Sequence, residues 1–523
     1  MARTYDNYAD LITFTRASSG TALRPISYGD ELVTNGTFDT DTSGWEGFLS
    51  GTASSTLSVV SNTLRVTKTG TIAGFCEYEI TGLTIGKIYS ASVDVISSES
   101  ALFAGSLSSQ NTSPTFGESS YSVNATTRKF NFVATSDTFY VILATLAAYC
   151  DFDNVSVREV LFDQPNGTLT LFNHPTNIPR IEYDANGNRL GLLVEESRTN
   201  LVTYSEDFSN VYWTKQSSVD SVEDGNILGP NGLVSGTKVT TNDVAYVSKD
   251  SIYFTQNITV TFSAFLKAGS ITTVGLHYAQ DLGDALNDNC DFDLSNGTVS
   301  SQGSASTAKI EYVGNGWYRC SNTYTTNGTG TVLGVRFVVQ GAGTFYVYGA
   351  QLEAGSFPTS YIPSNSGSTT TRSADVASIG VSEFGYNQSE GTVFVEAEIT
   401  NQVNLVQRYV IGSNQSSARW LYKNDSQNYI TSFDGTASLT VQQETLSDSV
   451  PFKAALSTDQ TERSIAVNGV VNSGSTNGNI PSLTNQINIG CDHSNTKQLF
   501  GHIKSIKYFP RKLTDAQLQE LTS

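Results

Sequence analysis

Along most of the chain, apolar and polar residues alternate with a period of two. Tyr89, Ala91, Val93 and Val95 fall on one side and Ser90, Ser92 and Asp94 on the other. Val260, Phe262, Ala264 and Leu266 alternate with Thr261, Ser263, Phe265 and Lys267, and Val393, Val395, Ala397 and Ile399 with Phe394, Glu396 and Glu398. A strand sends successive side chains to opposite faces, so each run predicts a half-buried strand. The first two regions close on Tyr-rich runs, FYVILATLAAYCDFDNVSVREV from Phe139 and GTFYVYGAQLEAG from Gly343, and each has the size and turn spacing of a jelly roll. FDLSNGTVS and SIAVNGVV predict hairpins with Asn296-Gly297 and Asn468-Gly469 at positive φ. One helix is expected, at the C-terminus: Thr514 caps it, Gln517 completes a capping box, Leu513 staples against Leu518, and it should pack beside HIKSIKYF.

The pattern is duplicated. Asn35 to Trp45 (NGTFDTDTSGW) and the end of Gly191 to Lys215 (GLLVEESRTNLVTYSEDFSNVYWTK) share a polar turn, a Phe and a later Trp, and each opens an alternating run. The tetrapeptide CDFD recurs at Cys150–Asp153 and Cys290–Asp293, but at the end of one unit and the middle of the other, so the echo is coincidence. PSNSGSTTTRSADVAS, from Pro363 to Ser378, lacks apolar periodicity and predicts an exposed linker. A chain of 523 residues exceeds one core and calls for about three or four units.

Composition strengthens the all-β reading: 44 Gly, 25 Tyr, 26 Phe, one Met and only 15% charged residues favour turns and strands over helices. The formal charge is −19 with no Lys/Arg block, which excludes a phosphate-backbone footprint and so a nucleic-acid partner; colloidal solubility explains the acidity. Cys76, Cys150, Cys290, Cys320 and Cys491 are odd in number and lack CxxC spacing, arguing against a disulfide framework or zinc; Cys76 with Cys150, or Cys290 with Cys320, remains an open pairing within one sandwich. The first residues hold no continuous apolar core of a signal peptide and no later run reaches the roughly 20 apolar residues of a membrane span. The expectation is a soluble chain made in the cytoplasm, with no membrane insertion.

Signatures of catalysis are sparse. HExxH, GxSxG and GxxxxGK followed by Ser or Thr are missing, and His174, His277, His493 and His502 have no ligand spacing. Glu195-Glu196 and Glu396 with Glu398 are the only paired acids considered for glycoside hydrolysis, and both read as solvated surface. The chain is therefore expected not to be an enzyme.

Five segments in order, FTRASSGT from Phe14, PRIEYDANGNRLGLLVEESRTNLVTYSEDFSNVYWTK from Pro179, YGAQLEAGSFPTSYIPS from Tyr348, TRSADVAS from Thr371 and KYFPRKLTDAQLQELTS from Lys507, resemble bacteriophage and prophage virion proteins of tail-fibre or tail-associated type. In that group a short connector precedes carbohydrate-binding-module-like jelly rolls and a concanavalin-like (laminin-G-like) domain. The resemblance implies an all-β chain of tandem jelly-roll β-sandwiches plus a concanavalin-like β-sandwich, with a short C-terminal helix. Its divisions are a connector at 1–30, an inserted jelly roll at 31–160, the connector's second part at 161–200, a second jelly roll at 201–363, a linker at 364–378 and the concanavalin-like domain at 379–523. The two connector parts should pack together as one discontinuous unit.

No cofactor is implied beyond a possible structural calcium, for which Asp39 and Asp153 are the matching acids. Sugar-binding folds of this kind stack exposed aromatic rings on pyranose faces, which points to Trp420 and Tyr422, whereas Trp45, Trp213 and Trp317 read as core. Arg16 and Arg372, in the related settings FTRAS and TTRSAD, read either as a subunit contact or as local loop bracing. The implied function is a virion structural protein, held on the particle by its N-terminal region, contacting other virion proteins and displaying sandwiches to host-surface glycan as a homo-oligomer, with a trimer favoured. The alternatives are a polysaccharide depolymerase and a purely architectural capsid or tail decoration.

Overall fold

The computed structural model describes residues 12–49, 52–97, 100–117, 127–253, 257–280, 289–326, 332–364, 367–399, 407–413, 419–423, 429–433, 437–442, 446–447, 449–475 and 485–523. The chain is all-β, built of stacked sheets with a single short helix among the described residues.

Two of its sandwiches share one topology. In the first, one sheet runs Trp45–Gly47, Gly74–Thr81, Thr138–Thr145, Ala101–Ser106, Phe116–Gly117, and the other contains Ser55–Val60, Thr63–Lys68, Tyr149–Phe162, Ile88–Ser97, Thr127–Val133. In the second, the matching sheets run Thr214–Lys215, Val244–Tyr253, Val332–Gln340, Thr273–Gln280, Cys290–Asp293 and Val219–Leu228, Val234–Thr241, Gly343–Ala354, Thr259–Ala268, Trp317–Thr325, each with one further edge strand. The repeated Phe and Trp have the same task in both. Trp45 packs on Phe38 with ring centroids 5.6 Å apart and donates its indole N–H to Asn35 O; Trp213 packs on Phe208 at 5.0 Å and donates to Tyr204 O. Each ring thereby pins the entry segment over its core, and Trp317 is likewise fully buried. The CDFD copies fall on non-equivalent strands, Tyr149–Phe162 and Cys290–Asp293. All five cysteines are buried free thiols.

The third sandwich is discontinuous. Thr13–Thr15 pairs with Val376–Gly380, placing Phe14 opposite Ala377, and the hairpin Ile181–Tyr183/Arg189–Val194 pairs through Leu192 with Ile503 of Gly501–Phe509. Phe14, Ile181, Leu192 and Val194 share one core with Val393, Val395, Ile411, Ile465 and Ile489. Connector segments thus complete both sheets of the C-terminal sandwich. Of the remaining connector strands, Thr168–His174 pairs along its whole length with Gly20 to Ile26 of Gly20–Tyr28, and Tyr149–Phe162 runs from the first jelly roll straight into this pair, with Val160 opposite Tyr28. The inserted sandwich is therefore joined by continuous β-sheet.

Three local expectations are corrected. The stretch expected as an exposed linker is exposed only in part: Gly367, Ser368, Thr369 and Thr371 are exposed, but Ser364, Arg372 and Asp375 are buried, and Thr370–Arg372 pairs with Arg198–Asn200. Its hydroxyls and amides satisfy other buried polar groups, which Ser/Thr-rich composition does not reveal. The helix Asp515–Thr522 has the expected Thr514–Gln517 capping box, but it seats Leu513 and Leu518 chiefly on Phe394, Ala455 and Ala466, and of Gly501–Phe509 Phe509 joins that cluster at its margin. At Leu294–Gly297 only Gly297 takes positive φ, because the Asp293 carboxylate accepts from Ser295 N and Asn296 Nδ2 and builds a wider turn; Asn468 and Gly469 both do, as a tight hairpin requires.

One buried ionic cluster ties these pieces together. Asp375 accepts from Arg16 Nη1 at 3.2 Å, from Arg180 Nη2 and from Glu195 N; Glu195 pairs with Arg180 at 2.8 Å and accepts from Ser360 N and Oγ; Arg372 lies 3.5 Å from Glu195 and donates to Glu196 O. Arg16, Arg180, Arg372, Glu195 and Asp375 are each at most 5% exposed. Burial opposes ionisation of Glu195, but the charges of Arg372 and Arg180 outweigh it and hold its carboxyl well below the usual range. Burial and then the positive charge of Arg180 bring Arg16 down to about 10. Segments far apart in sequence meet at this one point.

A second buried link binds the connector hairpin to the sandwich. His502 holds Glu398 through Nδ1 and Glu182 through Nε2, both at 2.7 Å. Burial would lower its pKa; the two carboxylates reverse that and raise it from 6.5 to about 9. A raised folded-state pKa means stability fully present below pH 6.5 and lost as pH climbs through about 9. Denaturant midpoints measured across this window should fall for the native chain, and His502→Gln should flatten the fall; an unchanged slope would refute the assignment.

Candidate functional site

The residues singled out from sequence do not converge on one site. Arg16 and Arg372 are both in the ionic cluster, 1% exposed and bonded within the chain, so the subunit-contact reading is corrected: burial leaves neither guanidinium at the surface, and both brace loops. Glu195, read as solvated, is buried beside them. Tyr422 is 3% exposed and stacked at 5.4 Å on Tyr409, which closes its ring to a pyranose and corrects its reading as a sugar platform. Trp420 belongs to the strand Arg419–Lys423, and its side chain lies outside the described residues.

Asp39 and Asp153 do approach each other in the first sandwich. Burial, then the negative charges of Asp94 and Asp39, raises the Asp153 carboxyl above its ordinary range. Each acid already accepts a local donor, Asp39 from Thr37 Oγ1 and Asp153 from Asn154 N. Among the described residues no three His, Cys, Asp or Glu side chains gather to hold a metal ion, and calcium takes about six to eight oxygens.

A different place concentrates exposed chemistry. The outer sheet of the second sandwich buries Val247, Phe337, Leu276 and Cys290 inward, so the alternate residues face out. Register sets Thr214 opposite Ser248, which is itself buried, Ser248 opposite Arg336 and Arg336 opposite His277; the row then steps diagonally to Asp291, which lies opposite Gly275 and Ser301. Tyr246 and Asp250 flank Ser248 on the same strand. Arg336 lies over the Tyr246 ring at 4.9 Å and bonds Asp250 at 3.3 Å, while Ser248 also donates to Asp250. His277 Nε2 holds Asp291 at 2.7 Å, and Ser301 donates to the other oxygen of Asp291. The side chains of Arg336, Asp250 and Asp291 remain 34%, 44% and 31% exposed. Gly275 makes room for this: a Cβ there would sit 2.4 Å from His277 Nε2 and 2.5 Å from Asp291 Oδ1.

The equivalent row of the first sandwich is Glu46, Glu77, Ile142, Ala104 and Gly117. There Phe48, Ala73, Phe75 and Leu102 cover Ile142 and Ala104, and Glu77 anchors a loop by accepting from Ser109 Oγ and Gln110 N. One scaffold thus carries a closed apolar face and an open polar one. An aromatic ring, a guanidinium and paired carboxylates on a flat exposed surface can stack on a sugar's C–H face and bond its hydroxyls. Sequence reasoning passed over this face because it draws single residues from six strands; the lone Arg336 in VLGVRFVVQ, at an outward position of an apolar strand, was the available signal.

No family model and no curated protein matches the chain. Among solved structures, it is similar to the N-terminal CBM22-1-CBM22-2 tandem domain of Paenibacillus barcinonensis Xyn10C at 12% identity and TM-score 0.22, covering 63% of this chain and 98% of that one. Mouse laminin alpha1 domains LG4-5 align at 11% and 0.19, covering 58% and 92%. Trypanosoma rangeli sialidase in complex with the inhibitor DANA aligns at 11% and 0.24, covering 86% and 91%. The expectation that the chain is not an enzyme is corrected here, since enzymes stand among its structural neighbours. Scores this low assign no activity, and the sandwich architecture rests on the sheets themselves.

Proposed function

We propose that the chain is a glycan-adhesion protein of tail-fibre type, in which the second sandwich recognises carbohydrate through Arg336, His277 and Asp291 with Tyr246 and Asp250. The observation that carries this reading is the contrast between equivalent faces: the first sandwich covers its face with apolar side chains, whereas in the second Arg336, Asp250 and Asp291 stay partly exposed. Placement on a virion, with the connector toward the particle, is supported by the ordered FTRAS, PRIEYD, YGAQLEAG, TRSAD and KYFPRKL segments. In a homo-oligomer, of which a trimer is the favoured form, repeated weak contacts would add up through avidity, by ~10²–10⁴-fold over one site.

The test is retention of the full chain on a glycan array and on host-surface polysaccharide. Arg336→Ala and Tyr246→Ala should each weaken binding about tenfold or more, the loss expected for removing a charged hydrogen-bond donor or a stacking ring. Equal retention by the double variant would sink the proposal. Light scattering on the intact protein reads the subunit number.

A further inference from the structure

We infer that the glycan taken by the second sandwich is an internal stretch of an uncharged polysaccharide, laid across the strands. This deepens the glycan-adhesion reading and rests on it.

The first argument is length and openness. The row from Thr214 to Ser301 crosses all six strands of its sheet, about 24 Å at roughly 4.8 Å per strand, which accommodates several successive sugars. Both ends are open: Thr214 is exposed on one edge strand, and every residue of the opposite edge strand, Thr298–Gln302, is exposed. A site for a chain terminus needs a wall, and among the described residues these edges supply none. Gly275 keeps the track low, because a Cβ there would displace the His277–Asp291 pair.

The second argument is charge. Arg336 is neutralised by Asp250, and His277 is held by Asp291. The lysines on the strands of this sheet are engaged as well: Lys215 Nζ donates to Ser209 O and Asn210 O, and Lys249 lies over the Tyr212 ring at 4.7 Å. A polyanion would meet two exposed carboxylates on a chain of net charge −19 and would have to break these pairs. The hydroxyls of an uncharged sugar can instead donate to the free lone pairs of Asp250 and Asp291 and accept from Arg336 without separating them.

Calorimetry with the full chain tests both points, using oligomers of glucan, mannan and galactan from monosaccharide to hexasaccharide, and galacturonan of the same lengths. Affinity should rise about tenfold or more from monosaccharide to tetrasaccharide and then level off, be indifferent to reduction of the reducing end, and change less than about twofold between low and high salt. Asp291→Asn, which keeps the shape, should reduce tetrasaccharide binding. Saturation by a monosaccharide, or preference for galacturonan with steep salt dependence, would overturn the inference while sparing glycan adhesion. Silence toward every polymer, charged or not, would overturn both.

Discussion

Replacing Asp375 with Asn should destabilise the chain by about 3–5 kcal/mol, the usual cost of removing one partner from a buried ion pair. In the native cluster Asp375 accepts from Arg16, Arg180 and the Glu195 amide, with no part of its side chain exposed. The amide isostere keeps the volume but leaves three guanidinium groups against Glu195, and Arg16, whose other partners among the described residues are the carbonyls of Ser18, His174 and Pro175, loses the carboxylate it pairs with. Urea unfolding read by tryptophan fluorescence would show the shift. Because the substituted side chain also offers an amine toward a guanidinium, a second variant carrying Asp375→Asn with Arg16→Gln should recover part of the loss. A single-variant shift under about 1 kcal/mol would mean that the cluster is incidental to stability.

The larger effect is expected from cutting the chain at its apparent boundary. A fragment of residues 379–523 should fail to fold, because it lacks the strand Thr13–Thr15, the strand Val376–Gly380 that receives it, and the hairpin carrying Ile181, Leu192 and Val194. Those losses remove an edge from each sheet and expose a common core, at about 25 cal/mol per Å² of apolar surface. Excising residues 29–159 should be tolerated, since Tyr28 and Val160 are cross-strand partners and an Asn-Gly turn can close the gap. Far-UV dichroism and amide-proton dispersion distinguish the outcomes; a well-dispersed spectrum from the short fragment would refute the shared core.

These expectations locate what the amino-acid order made readable. Local signals transferred well: the alternation through Tyr89–Val95 and Val260–Leu266 became core strands, Trp45 and Trp213 became core anchors, and Thr514 with Gln517 capped the helix. Non-local pairing did not. Nothing in Phe14 announces Ala377 as its partner, and a three-residue strand has too little periodicity to assign a face. The expected linker misled for a different reason, since Ser, Thr and Gly suit exposed turns and equally a buried polar network once tertiary partners exist. The open face stayed hidden because its row is assembled by register: Ser248, Arg336 and His277 are neighbours only after their strands pair. Tyr422 shows the converse error, an aromatic in a polar context whose stacking neighbour closed it off.

Because strands before each jelly roll, Thr13–Thr15 and Arg189–Val194, are hydrogen-bonded to strands from the last third of the chain in the two sheets of the same sandwich, a protease nick in a surface loop of either jelly roll would not release a fragment. The two pieces would stay clasped, migrating together in a native gel and parting only in detergent.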